Sequence, residues 1–110
     1  MAEFAAYVKR LGEEKGLNVM LYAHVGSGGM HIHATADMDK TAFETAVSDF
    51  SRETYAKCAQ LGGDIVGEYG VGYVKTESFR VFAPESYAEF EALKSKFDPA
   101  GILNPGKVVG

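Results

Sequence analysis

The sequence predicts an α+β fold, a ferredoxin-like antiparallel sheet with helices packed on one face. Two observations carry this prediction. Apolar and polar residues alternate on both sides of a Gly-rich stretch, which is the pattern of a β-hairpin. Helical periodicity before and after this hairpin gives the order helix, hairpin, helix, strand, helix. In such a fold the other face of the sheet is open to a ligand or a partner.

The first two predicted helices follow from apolar spacing and from their end signals. The first extends from residue 2 to about Lys15, and Gly16 provides a natural stop. The second begins at Thr41 and Glu44, which have the spacing of a capping box, and Gly62 can close it with a left-handed residue. A long helix is therefore expected between the hairpin and the Gly62 turn.

Apolar stripes mark the helices, and the stripe of the second helix is predicted to pack into the core. The stripes comprise Phe4, Val8 and Leu11, then Phe43, Ala46, Val47, Phe50, Thr54 and Leu61, and finally Tyr87, Phe90, Leu93 and Phe97. The last of these helices begins at Pro84 and ends before Asp98-Pro99. Between the second and the last helix, residues 64–68 are predicted to form a short strand.

The register of the hairpin decides which of its side chains meet. Val25 and Met30 are predicted as the last pair around the turn, which places His24 opposite His31. The further pairs in this register are Ala23 with Ile32 and Tyr22 with His33. This register is favoured because it collects the apolar side chains of both strands on one face.

The polar face of the hairpin carries Tyr22 and all three histidines of the chain. Directly opposed residues have Cβ atoms ~4.5–5.5 Å apart, so the imidazoles of His24 and His31 can share one divalent ion. Glu68, at the end of the next predicted strand, is the candidate third ligand. Solvent-facing histidines on a polar sheet are the alternative that spacing alone leaves open.

Composition excludes several classes of function. The formal charge is -4 with a pI near 5.3, and no cluster of Lys and Arg is present, which argues against nucleic-acid binding. No apolar stretch approaches the length of a membrane span, and residues 1–4 lack the basic and apolar regions expected of a signal peptide. Cys58 is the only cysteine, so no intrachain disulfide can form. A cytoplasmic location is expected.

Three segments resemble the motifs of a known family. Residues 24–31 read HVGSGGMH, residues 62–72 read GGDIVGEYGVG and residues 97–108 read FDPAGILNPGKV. They are similar, in this order, to the motifs HxGDGNxH, GGxxxGEHGxG and DPxxILNPGK of the FAD-linked oxidases. That family includes D-lactate dehydrogenases, the glycolate oxidase FAD subunit and D-2-hydroxyglutarate dehydrogenase. The resemblance covers the C-terminal part of the family's C-terminal domain.

The resemblance implies a role beside a flavin. Members oxidise a D-2-hydroxy acid by hydride transfer to FAD, which a separate N-terminal domain binds, and their C-terminal domain often holds a divalent ion, commonly zinc. His24, His31 and Glu68 match the family's metal-ligand positions, which agrees with the trio selected from the hairpin. Asn104 and Lys107 match the terminal stretch that faces the cofactor.

The sequence also departs from the family pattern. The histidine that follows the glutamate in the family, which resembles a general base, is Tyr69 here. A phenol is mostly protonated at neutral pH and is a poor base, so either His33 replaces it or activation by the metal suffices. Ser27 and Gly29 stand where the family has Asp and Asn, which removes two groups that help to order the ligands.

We therefore expect residues 1–110 to form the substrate-side, flavin-capping domain of such an enzyme. No dinucleotide-binding fingerprint is present, so an FAD-binding domain or subunit is the expected partner and the chain alone should not turn over substrate. The full enzyme could associate peripherally with a membrane, and the isolated domain could self-associate. A free-standing ligand-binding or dimerisation module and an inactive remnant are the alternatives.

Overall fold

The computed structural model describes residues 1–109. Within these residues it contains four helices and a two-stranded antiparallel sheet, which confirms the α+β class. The elements are α1 (Ala2–Glu14), β1 (Asn18–His24), β2 (Gly29–Thr35), α2 (Lys40–Gln60), α3 (Thr76–Phe82) and α4 (Pro84–Phe97). The chain divides into two compact units, of which the first is Met1–Gly62 and the second begins at Gly63.

In the first unit, α1 and α2 pack with the apolar face of the hairpin. Val8, Leu11, Leu17 and Phe50 are buried at the centre of this core, and the inward side chains of both strands surround them. The packing of α1 on β1 is close at Gly12, where an added Cβ would lie 2.3 Å from the Cγ2 atom of Val19. The predicted arrangement of helices on one face of the sheet is thus present in this unit.

The hairpin has a different register from the predicted one. Tyr22 lies opposite His31 and His24 lies opposite Gly29, so the predicted pairs of His24 with His31 and Tyr22 with His33 are wrong by two residues. A shift of two residues leaves every side chain on its own face, because side chains alternate with a period of two. The polar face therefore keeps Tyr22 and the three histidines.

The reason for the shift lies in the turn. Its four residues are Val25–Gly28, and the backbone N–H groups of Ser27 and Gly28 donate to the His24 carbonyl at 3.1 and 2.9 Å. Gly28 has φ +78°, which a glycine adopts without strain. Val25 is predicted to pair with Met30 on the apolar face of the hairpin, but it lies in this turn and is 82% exposed.

Helix α2 begins before the predicted capping box. The Asp39 carboxylate accepts a hydrogen bond from the Ala42 N–H group at 3.0 Å and caps the helix, so Thr41 lies inside it. The predicted end is confirmed, because Gly62 has φ +73° and its N–H group donates to the Ala59 carbonyl at 3.0 Å.

The second unit contains no strand at residues 64–68, so that prediction is wrong. The Asp64 carboxylate accepts a hydrogen bond from the Val66 N–H group at 2.9 Å, which bends the chain locally instead of leaving it extended. A turn follows, in which the Gly70 N–H group donates to the Gly67 carbonyl at 3.0 Å. Among residues 1–109, the sheet therefore consists of the β1–β2 hairpin alone, without the further strand that was predicted.

The helices of the second unit pack through aromatic rings. Helix α4 has the predicted bounds, whereas the short α3 was not predicted. Phe79 of α3 is buried, and its ring centroid lies 5.9 Å from that of Tyr87 and 5.6 Å from that of Phe90. No helix among the described residues has both the length and the apolar character that a membrane span requires.

A buried carboxylate fixes the chain after α4. Asp98 accepts hydrogen bonds from the N–H groups of Ile102 and Leu103 at 3.0 and 2.9 Å, and from Lys94 Nζ. The hydrogen bond from Lys94 lowers the pKa of Asp98 most, burial opposes it, and the two backbone donors lower the pKa further. The ionised carboxylate therefore stabilises the folded second unit.

This arrangement predicts a pH dependence of stability. Because the pKa of Asp98 is lower in the folded chain, its contribution is present above the unfolded value of about 3.9 and is lost as the pH falls from there through the folded value. We expect Asp98→Asn to lower the free energy of unfolding at neutral pH and to flatten its acid dependence. Urea unfolding at a series of pH values measures both effects. Asp37→Asn, at an exposed aspartate, is the control, and an identical acid dependence of Asp98→Asn and wild type would contradict the assignment.

Candidate functional site

A row of four rings lies on the polar face of the hairpin. We call this surface the histidine face, and it consists of Tyr22, His24, His31 and His33. All four side chains are exposed except that of His31, which is half-buried. They are brought together because Tyr22 and His24 lie two residues apart on β1, and the other two lie two residues apart on β2.

The first pair in the row is His24 with His31. Their ring centroids are 5.2 Å apart with an interplanar angle of 77°, and one ring nitrogen of each lies within 4.8 Å of the other. Ligand atoms of one tetrahedral zinc ion lie ~3.4 Å apart at bond lengths of ~2.0–2.1 Å. Small side-chain rotations would bring the two nitrogens to that separation. The pair fits a divalent ion in donor type and in spacing, although its members are diagonal neighbours and not directly opposed.

The second pair in the row is Tyr22 with His33. The Tyr22 hydroxyl and His33 Nε2 are 2.6 Å apart and form a hydrogen bond. The Tyr22 ring also stacks on two imidazoles, with centroids 4.9 Å from His31 and 5.2 Å from His33. Sequence reasoning placed Tyr22 on this face but gave it no role; its position two residues before His24 is the signal that was available.

The Gly-rich turn beside the histidine face is closed by Ser27. Its Oγ atom accepts a hydrogen bond from the Gly29 N–H group at 3.4 Å and donates one to the His24 carbonyl at 3.4 Å. The hydroxyl therefore satisfies backbone groups of the turn itself. Ser27 shapes the end of β1 that carries His24.

Glu68 and Tyr69 lie together in the second unit. They occupy the two central positions of the turn that begins at Gly67, and both side chains are exposed, that of Tyr69 by 83%. Ile65 and Val71 are buried on either side of the turn. The two buried residues hold the turn in place, so the carboxylate of Glu68 and the phenol of Tyr69 lie next to each other on a short, exposed segment.

Asn104 and Lys107 lie in the C-terminal segment of the second unit. Both side chains are exposed, and the Lys107 N–H group donates to the Asn104 carbonyl at 3.2 Å. The segment is held by the buried Val109 and by a 2.7 Å hydrogen bond from the Val108 N–H group to the Gly72 carbonyl. The two side chains are therefore presented by a fixed stretch of backbone.

Comparison with known proteins identifies the family. Residues 1–108 match the family model of FAD linked oxidases, C-terminal domain. The chain belongs to this family. The match extends from α1 to the C-terminal segment, so it includes every candidate residue described above.

Three relatives of this chain are named as dehydrogenases or oxidases of hydroxy acids. The chain is 37% identical over 98% of its length to D-lactate dehydrogenase of Anaerostipes hadrus, of which it covers 23%. It is 34% identical over 97% of its length to glycolate oxidase subunit GlcD of Bacillus subtilis, of which it covers 24%. It is 32% identical over 98% of its length to D-2-hydroxyglutarate dehydrogenase of Escherichia coli, of which it covers 11%. The chain thus spans about a quarter or less of these relatives.

Proposed function

We propose that this chain is the substrate-side, flavin-capping domain of an FAD-dependent dehydrogenase that oxidises a D-2-hydroxy acid, of the lactate or glycolate type. The observation that carries the proposal is the paired imidazoles of His24 and His31 in a member of the FAD-linked oxidase family. The substrate class is supported by the relatives, which are named after D-lactate, D-2-hydroxyglutarate and glycolate. An FAD-binding domain or subunit is the proposed partner.

His24, His31 and Glu68 are the proposed ligands of a divalent ion, with zinc as the expected metal. Two imidazoles and one carboxylate are a donor set of catalytic zinc sites and leave a position open for substrate. A bound ion of this kind polarises a hydroxyl group and lowers its pKa. The residues of this chain supply two imidazole nitrogens on the hairpin and one carboxylate on an anchored turn. Because only the carboxylate is charged, the site would keep a net positive charge once a divalent ion is bound.

Tyr69 and His33 are the proposed groups that handle the proton of the substrate hydroxyl. Tyr69 is adjacent to Glu68 and offers a phenol for a hydrogen bond to the substrate oxygen. His33 Nε2 is hydrogen-bonded to the Tyr22 hydroxyl, and in the tautomer in which Nε2–H donates to that oxygen, Nδ1 is the ring nitrogen that would accept a proton. His33→Ala should abolish turnover if His33 is the base, and should leave turnover largely intact if activation by the metal suffices.

Asn104 and Lys107 are the proposed contacts to the cofactor. An amide and an ammonium group can donate hydrogen bonds to the oxygen atoms of a flavin or of its phosphates. The fixed backbone of this segment supports that role, because a donor that is already in place loses little entropy when it binds.

The proposal is tested on a protein that carries this chain together with its FAD-binding domain. We expect D-lactate, glycolate or D-2-hydroxyglutarate to reduce an artificial electron acceptor, and the L-enantiomers of the chiral acids to be inactive. Glu68→Gln should lower kcat by about 100-fold or more, because a ligand of the metal contributes at least as much as an outer-shell partner. The flavin absorbance of the variant should be unchanged.

Glu89→Gln provides the matched control, since Glu89 is an exposed glutamate of the same unit on α4. It should leave kcat unchanged. Metal binding without any oxidation of hydroxy acids would instead favour a ligand-binding module that has no redox activity. Full activity of Glu68→Gln would remove Glu68 from the proposed ligand set.

A further inference from the structure

We propose that Tyr22 is a positioning residue that holds the imidazole of His31 in the orientation needed to bind a metal ion, with the Tyr22 hydroxyl anchored by His33. This inference rests on the proposed function, because it concerns the metal ligand named there. It assigns a role to a side chain that is not itself a ligand in that proposal.

The first step is the contact between Tyr22 and His31. The two residues are directly opposed in the hairpin, so their side chains leave neighbouring strands at the same level and on the same face. Their rings are nearly parallel, with an interplanar angle of 18° and centroids 4.9 Å apart. A parallel stack restricts rotation of the imidazole, because any large change of its ring plane would break the contact.

The second step is the anchor of Tyr22 itself. Its hydroxyl is hydrogen-bonded to His33 Nε2 at 2.6 Å, and the two rings are stacked with centroids 5.2 Å apart. The phenol ring is thus held by contacts along its face and at its tip. The hydroxyl anchor adds to the two stacking contacts, so the ring restrains His31 more tightly than stacking alone would.

The third step is the exposure of this face. Tyr22 is 49% exposed, and the helices of the first unit pack on the opposite side of the hairpin. The outer side of these rings is therefore not covered by the core, and the stacked Tyr22 ring is one restraint on the orientation of His31. Neighbours that orient metal-binding histidines typically change metal affinity by about 10- to 100-fold when they are removed.

Zinc titration of the purified chain tests the inference. We expect Tyr22→Leu to weaken zinc binding by about 10- to 100-fold, because it removes the stacked ring. Tyr22→Phe keeps the ring and loses only the anchor, so it should restore most of the affinity. His33→Ala should resemble Tyr22→Phe, and the double variant Tyr22→Phe/His33→Ala should be no weaker than either single variant.

Tyr73→Leu is the control for the loss of an exposed tyrosine, because Tyr73 is 74% exposed and lies in the second unit. It should bind zinc like the wild type. Circular dichroism of each variant shows whether the first unit is folded, and Tyr22→Phe remains informative if Tyr22→Leu does not fold.

NMR spectra of the metal-free chain give an independent measurement. The Tyr22 ring current should shift the ring-proton resonances of His31, and this shift should vanish in Tyr22→Leu but persist in Tyr22→Phe. If Tyr22→Leu bound zinc as tightly as the wild type, or if the His31 resonances did not change in that variant, the role of Tyr22 would be contradicted while the proposed metal centre would stand. Absence of zinc binding in the wild type would overturn the proposed metal centre, and with it the purpose assigned to Tyr22.

Discussion

Replacement of both His24 and His31 by alanine is expected to abolish zinc binding by this chain. The two ring nitrogens that lie within 4.8 Å of each other are the neutral donors of the proposed site, and Glu68 alone would remain. A single exposed carboxylate binds zinc weakly, because two of the three protein ligands of a catalytic site are then missing. The affinity should fall by more than about 100-fold, since the loss of an outer-shell partner alone costs up to that amount.

Elemental analysis of the purified protein and zinc titration measure this effect. His33→Ala is the matched control, because it removes the third histidine of the same face and leaves all three proposed ligands in place. It should retain one zinc ion per chain with an affinity lowered only a few-fold. Near-stoichiometric zinc in the double variant would show that residues other than His24 and His31 hold the metal.

The sequence predicted the elements of the first unit because their signals are local. Helix α1 has regular apolar spacing and a glycine stop, and the hairpin has strict alternation around glycines. The start of α2 was misplaced, because Asp39 competes with Thr41 as a cap and the backbone conformation selects between them. The strand expected at residues 64–68 failed for a similar reason, since the Asp64 side chain bends the segment.

The histidine face was predictable, whereas the contacts within it were not. Side-chain alternation assigns residues to a face whatever the register, provided that the shift is even. Which rings touch depends on the turn, and the turn placed Tyr22 instead of His24 directly opposite His31. The anchor between Tyr22 and His33 depends on rotamers, which no sequence pattern specifies.

Family membership was predictable for a different reason. Three short motifs in a fixed order are specific even when their residues differ at single positions such as Ser27 and Tyr69. The match over residues 1–108 confirms the resemblance.

Phe50→Ala is expected to remove most of the stability of the first unit. Phe50 is 4% exposed and contacts the core formed by Val8, Leu11 and Leu17. Truncation of a buried phenylalanine costs about 3–5 kcal/mol, from lost burial and from the cavity that remains. A unit of this size has a total stability of about 3–9 kcal/mol, so the variant should be close to its unfolding transition at room temperature.

This variant also separates folding from ligand loss. Zinc at a free concentration of 100 times its dissociation constant would stabilise a folded binder by about 2.7 kcal/mol, because the metal binds the folded chain and not the unfolded one. Zinc should therefore raise the unfolding midpoint of Phe50→Ala and of the wild type, but not that of His24→Ala/His31→Ala. Thermal unfolding followed by circular dichroism, with and without zinc, measures these shifts.

Phe97→Ala, at a side chain that is 73% exposed, is the control and should change stability by less than about 0.5 kcal/mol. A Phe50→Ala chain with wild-type stability would contradict the core described here. If zinc left the unfolding midpoints of the wild type and of Phe50→Ala unchanged, the proposed metal centre would be contradicted.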